Sequence, residues 1–180
     1  MKKNIIIVLA IVLSVSALSL AACAPGNGES SSGDDSIGLE VGKFAPDFTL
    51  DLRGGGTVKL SELRGRPTLV NFYTTWCQPC QTEFPEIQKV ADKYGDKIHV
   101  LGISAAETVQ TVNEFFDNYP DLVYPMAFDP NGQTSIAYNI DVIPQTWILN
   151  ADGLIVDYIE GGVDEARFSR GLDKALGGAS

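Results

Sequence analysis

From residue 39 onward the spacing of apolar side chains changes period several times, and each period predicts an element. Residues 47–52 (DFTLDL) and 57–60 (TVKL) alternate apolar and polar positions on either side of Gly54-Gly55-Gly56, the pattern of a β-hairpin. Ser61 and Glu62 open a short helical turn that Gly65 stops. Residues 67–73 (PTLVNFY) form an apolar, β-branched and aromatic run without alternation, which predicts a strand buried on both faces. Phe84, Ile87, Val90, Ala91 and Tyr94 fall at helical spacing within 77–94, and Gly95 marks the end of that helix. A second buried strand at 98–104 follows, then a helix over 109–119 with Val112, Phe115 and Phe116 inward. A less regular stretch holds a short strand at 123–128 and a helical turn at 134–138. Strands at 146–149 and 154–159 flank the turn Asn150-Ala151-Asp152-Gly153. Asp164 caps a last helix over 165–176, with Phe168, Leu172 and Leu176 inward. Strand, helix, strand, helix without an internal repeat predicts one α/β domain over residues 39–180, built on a βαβ framework.

The residues before it are of another kind. A short basic start, the apolar run IIIVLAIVL and then LAAC at 20–23 have the tripartite form of an export signal, too short for a comfortable membrane span. Residues 24–36 (APGNGESSSGDDS) are rich in Gly, Ser and acid, so they predict a flexible tether with a typical reach of about 20 Å. The expected organisation is a signal peptide at 1–22, Cys23 with its tether at 23–38, and the domain at 39–180.

Composition narrows the classes. Of 180 residues, 44% are hydrophobic, which suits one domain with a real core and excludes disorder. The net charge is −10, and removal of Lys2 and Lys3 with a leader takes it to −12. Phosphate-backbone binding needs clustered Lys and Arg, so nucleic acid is excluded as a partner. Three cysteines and the single His99 are too few for a four-ligand zinc site or a disulfide scaffold, so no metal is expected.

The chemistry concentrates at Trp76-Cys77-Gln78-Pro79-Cys80. Two cysteines separated by two residues, directly after a buried strand and opening a helix, put the first sulfur where unpaired N–H groups and the helix dipole stabilise thiolate. Cys77 is the expected nucleophile. Cys80, three residues on and on the same face, can close a disulfide with it and is the expected resolving cysteine. Pro79 falls at an early helix position where no N–H is missed, and it stiffens the loop. Half a zinc knuckle and an inert structural disulfide fit the same spacing. Zinc lacks further ligands, and a disulfide across so short a loop stabilises little.

LVNFYTTWCQPC, followed by Glu83-Phe84-Pro85, resembles the thioredoxin-fold extracytoplasmic thiol-disulfide oxidoreductases of the ResA/TlpA-like group, in the AhpC/TSA-redoxin superfamily. The resemblance runs from about 39 to 176 and includes Gly42-Lys43-x-Ala45-Pro46-Asp47-Phe48, an extra helix-strand segment, and Ile143-Pro144-Gln145-Thr146. It implies a three-layer α/β/α thioredoxin-like fold with an N-terminal β-hairpin and a central helix-strand insertion. It implies a cis Pro144 against the cysteines, with Ile143 offering main-chain groups to an extended substrate segment, and Trp76, Gln78 and Pro79 around the nucleophile. LAAC also resembles the lipobox of bacterial lipoproteins, so Cys23 is the expected acylated anchor at the extracytoplasmic face of a membrane. The implied partners are exported disulfide-containing proteins, such as apocytochrome c or a methionine sulfoxide reductase, and a membrane electron carrier of the CcdA/DsbD type. A monomer without cofactor is expected.

Two positions depart from the family pattern. Asn71 stands where cytoplasmic thioredoxins carry a buried proton-transferring Asp, and an amide cannot take up that proton. Gln78 stands where some close relatives carry Glu and cannot titrate. Glu83 is the nearest acid in sequence and is singled out for proton management, against the alternative of a solvated helix residue. Trp147 reads as core, His99 as a strand residue satisfied locally, and Gly161-Gly162 carries no phosphate-binding signal. Two other functions stay open: a peroxiredoxin-like thiol peroxidase, for which Thr74 fits the Pro-x-x-x-Thr-x-x-Cys pattern while Val70 occupies its proline position, and a non-catalytic binding or chaperone lipoprotein.

Overall fold

The computed structural model describes residues 36–177. The expected signal peptide, Cys23 and most of the tether lie outside the described residues. Seven strands form one sheet in the order β2-β1-β5-β4-β3-β6-β7: β1 (Thr49–Leu52), β2 (Thr57–Lys59), β3 (Thr68–Tyr73), β4 (His99–Ala105), β5 (Met126–Asp129), β6 (Gln145–Leu149) and β7 (Ile155–Glu160). β3, β4 and β5 run parallel, and antiparallel pairs complete the sheet on both sides. The helices are α1 (Gln78–Tyr94), α2 (Val109–Phe116), α3 (Gln133–Ala137) and α4 (Glu165–Gly177). This is the expected α/β architecture, with β1 and β2 as the hairpin and α2 with β5 as the inserted helix and strand.

β3 is buried along its whole length because it is covered on both faces. Leu69 and Tyr73 point into a core shared with α1, α2 and α4, where Phe84, Ile87, Val112, Phe116, Phe168 and Leu172 meet. Val70 and Phe72 point the other way, toward Tyr138, Trp147 and Leu60, under the N-terminal segment and the 3-10 turn Leu60–Leu63. Three helices thus cover one face, and the other is closed by α3 and loops. Tyr73 stands edge-on to Phe84 and Phe116 at 5.1 and 5.6 Å, contacts worth about 0.5–1.5 kcal/mol each beyond their burial. This cluster is the floor under the cysteines.

The helix ends follow from local chemistry. Thr108 caps α2 by accepting the Thr111 N–H at 3.2 Å, and Asp164 caps α4 through the Arg167 N–H at 2.9 Å. Asn150 Oδ1 closes the β6–β7 turn by accepting the N–H groups of Asp152 and Leu154. Two elements are shorter than expected. α2 stops at Phe116 rather than 119 because Asn118 turns its amide back onto the Glu114 and Phe115 carbonyls. β5 starts at Met126 rather than 123 because the N–H groups of Val123 and Tyr124 go to the Gln88 side chain instead of a strand. Trp147 is core, as expected, and His99 opens β4, where burial and the nearby Arg66 charge lower its pKa. No helix among the described residues is long and apolar enough to cross a membrane.

Candidate active site

β3, paired on both sides, delivers the chain to its own C-terminal end, Thr74 to Trp76 turn it, and Cys77 becomes the N-cap of α1. Cys77 and Cys80 are joined by a disulfide, with Cα atoms 5.3 Å apart. The Cys80 N–H points at Cys77 Sγ from 3.3 Å, so one of the free donors in the first turn of the helix is already spent on that sulfur. Cys80 is fully buried and Cys77 shows a 5% remnant of surface, so a partner can reach only the first sulfur. Gln78 and Pro79 are exposed, and Trp76 is 72% exposed, a large indole held in solvent beside the nucleophile's position. The Ile143–Pro144 peptide bond is cis, and the Ile143 carbonyl oxygen lies 3.8 Å from Cys77 Sγ, although the two residues are 66 positions apart in sequence. The cysteine segment 76–80 and the loop 143–144 therefore meet as expected.

Glu83 is 2% exposed, so the solvated alternative is incorrect. Its place on α1 is at helical spacing with Ile87, Val90 and Tyr94, which draws it under the surface with the apolar stripe. One oxygen accepts the Asn71 amide at 3.0 Å and the other the Val163 N–H at 3.2 Å. Both donors are neutral, and none of the ion pairs among the described residues involves Glu83. Burial pushes its pKa up to about 7, against the two hydrogen bonds, which pull it down. Asn71 is fully buried and spends its amide nitrogen twice, on Glu83 and on Thr146 Oγ1 at 2.9 Å, while its Oδ1 has no partner among the described residues.

A second buried carboxylate escaped the sequence. Glu107, in the β4–α2 loop, accepts the Thr75 N–H at 2.7 Å and the Thr75 hydroxyl at 2.5 Å. Gln81 of α1 donates to the Thr75 carbonyl at 2.7 Å. Every polar group of Thr75 is thus held, and with it the turn that presents Trp76 and Cys77. Ala106, just before Glu107, takes the left-handed backbone conformation at φ 55°, which costs a non-glycine residue about 1 kcal/mol or more. The contact joins residues 32 apart in sequence, and no motif announces it.

A strand-to-helix Cys-x-x-Cys disulfide facing a cis-proline on this sheet defines a thiol-disulfide oxidoreductase of thioredoxin-like fold, and known proteins of that kind are similar to this chain. A thioredoxin-family thiol:disulfide interchange protein from Chlorobium tepidum superposes with a TM-score of 0.67 at 27% identity, over 74% of this chain and 96% of that one. A DsbE-type chain of the same organism reaches 0.72 at 28% identity, over 78% of this chain and all of the other. The chain belongs to the AhpC/TSA family, which it matches over residues 41–158. Among its relatives, the thioredoxin-like protein YneN of Bacillus subtilis is 34% identical over 140 residues, covering 76% of this chain and 81% of the relative. The thiol-disulfide oxidoreductase ResA of Oceanobacillus iheyensis is 35% identical over 133 residues, covering 71% and 69%.

Proposed function

We propose that this oxidoreductase reduces disulfides in exported proteins and that lipid on Cys23 holds it at the extracytoplasmic face of a bacterial membrane. The observation that carries the catalytic part is the environment of Cys77 Sγ: capping α1, receiving the Cys80 N–H, and beside the Ile143 carbonyl. In the reduced protein the same N–H and the helix dipole favour thiolate at Cys77 over Cys80. That thiolate attacks a client disulfide, forms a mixed disulfide and releases one client thiolate. Cys80 then attacks Cys77 Sγ, the Cys77–Cys80 disulfide closes, and the client leaves with two more electrons and, once protonated, two thiols. A membrane electron carrier of the CcdA/DsbD type restores the dithiol; apocytochrome c or a methionine sulfoxide reductase fits as client. Ile143 and Pro144 offer the edge on which an extended client segment lies, and Trp76, Gln78 and Pro79 form the rim.

Cys80 must lose its proton out of contact with solvent, and Glu83 sits one helical turn further along α1. With a pKa near 7 it exchanges a proton at working pH. Asn71 cannot hold that proton but can follow it. Its NH2 faces the carboxylate, and a half-turn of the amide brings the unpartnered Oδ1 to a protonated Glu83 and to the Thr146 hydroxyl.

Removing the resolving thiol tests the mechanism. Cys80→Ala in its own envelope should accumulate adducts that dithiothreitol dissolves, each joined through Cys77 to a client or to the membrane reductase. An absence of adducts where the protein is abundant and Cys77 reduced overturns disulfide exchange with proteins. For the tether, Cys23→Ala should lose incorporation of labelled fatty acid and either release the domain or leave an uncleaved precursor. Normal processing with full membrane retention rules that anchor out.

A further inference from the structure

Gly161-Gly162 is silent as a sequence pair, yet these residues and Val163 touch three parts of the site in succession. The Gly161 N–H donates to the carbonyl of Pro144 at 2.9 Å. A Cβ placed on Gly162 would lie 3.1 Å from the Pro79 carbonyl oxygen and 3.5 Å from Pro79 Cβ. The Val163 N–H donates to Glu83 at 3.2 Å. On the α1 side, Pro79, Glu83 and Glu86 share one face of the helix, and Glu86 receives the Glu165 N–H at 3.1 Å, so the strap lies along that face. A cleft of about 460 Å³ between them has Pro79, Thr82, Glu83, Gly162 and Asp164 in its walls.

We propose that residues 161–163 are a positioning strap: the segment ties the client-binding edge at Pro144 to the buried Glu83, and a bare glycine at 162 lets it lie close enough to Pro79 to do both. The inference rests on the reading of Glu83 as the proton-exchanging group. Gly162 is exposed and not in the left-handed region, so core packing and backbone conformation both tolerate a methyl there. The close approach to Pro79 is what requires a hydrogen. The groups facing Glu83 are the neutral Asn71 from β3, Glu86 of its own helix and Asp164 before α4 across the cleft, and the Tyr124 phenol, near enough to feel its charge.

Gly162→Ala forces the strap off Pro79 by a few tenths of an ångström and lengthens the Val163 bond to Glu83. Loss of a donor to the ionised form favours the protonated one. In the full-length reduced protein, release of a fluorescent thiol from a mixed disulfide on Cys77 is followed against pH. Its midpoint should rise by about one unit in Gly162→Ala, and KM for a peptide disulfide should rise a few-fold as the Pro144 edge moves. Val163→Pro, which removes the N–H without a methyl at 162, should raise the midpoint likewise. The shift should vanish in the Gly162→Ala/Glu83→Gln double variant. Gly55→Ala is the control: the backbone is strained there at φ 102°, but nothing lies within 4 Å, and the profile should stay in place. A midpoint and KM unchanged in Gly162→Ala, or a profile unchanged in Val163→Pro, overturns the strap. If Glu83→Gln alone leaves the wild-type midpoint where it was, the reading of Glu83 fails, and KM in Gly162→Ala alone decides the strap, an unchanged value overturning it.

Discussion

Glu83 and Glu107 flank the same disulfide, both side chains out of solvent, and they are held in opposite ways. Glu83 takes one donor from β3 and another from the loop before α4, at 3.0 and 3.2 Å, and the first of these is shared with Thr146. Glu107 takes two donors from one residue, at 2.7 and 2.5 Å, and that residue is in the turn carrying the nucleophile. Neutral, dispersed donors replace water incompletely, so Glu83 keeps a proton up to a pH of about 7. Two short bonds to a single threonine make Glu107 a fastener between loops.

Glu83→Gln breaks the comparison most directly. The introduced amide can keep the Val163 bond through its carbonyl oxygen, and a half-turn of Asn71 pairs the two amides, so the fold survives. The raised carboxylate pKa means that the native state binds the extra proton between the ordinary value of 4.5 and about 7. Stability supplied by this group is therefore present below 4.5, falls as pH rises through that window, and is fully lost above 7, a span of about 3 kcal/mol. In the oxidised protein, urea midpoints of wild type minus Glu83→Gln should decline from pH 4.5 to 8. His99, whose lowered pKa tilts stability the other way, cancels in that difference. Resolution of a mixed disulfide on Cys77 should slow about tenfold or more at pH 7 and lose its step near that pH. A difference flat with pH means that Glu83 is ionised throughout.

Much of this site is legible in the chain because its logic is local. A buried strand ending at a Cys-x-Pro-Cys helix start places a capped sulfur, an exposed Trp76 and a buried Cys80 by helix geometry alone. The meeting of Pro144 with Cys77 came from a family pattern, since periodicity says nothing of which distant loop reaches a helix end. Glu83 offered a signal in its spacing with Ile87, Val90 and Tyr94. A charge at helical spacing with an apolar stripe is a buried charge, whatever its acidic character suggests of solvent. Glu107 offered none, because both its partners are groups of Thr75 and the left-handed Ala106 that aims it carries no glycine to mark the turn. The early ends of α2 and β5 are of the same kind, decided by the side chains of Asn118 and Gln88 rather than by hydrophobic period.

The smaller effect sharpens the other half of the comparison. Glu107→Ala leaves a buried N–H and hydroxyl of Thr75 without partners, a loss of about 1–3 kcal/mol each where water does not replace the carboxylate. The turn before Cys77 then loosens, and thiolate-dependent turnover should fall about tenfold, the cost of a misplaced nucleophile. Glu107→Gln retains a carbonyl oxygen for the Thr75 N–H, and its NH2 can donate to the hydroxyl, which reverses its role from donor to acceptor. As a fastener it should restore most of both losses. Thr75→Val removes only the hydroxyl bond and should cost about 1 kcal/mol with turnover within a few-fold of wild type. Added to Glu107→Ala, it should cost less than the sum of the two, because both remove the same contact. If instead Glu107→Gln is as slow as Glu107→Ala while melting like wild type, the charge of Glu107 matters to the chemistry, and the contrast between the two glutamates collapses into a shared electrostatic role.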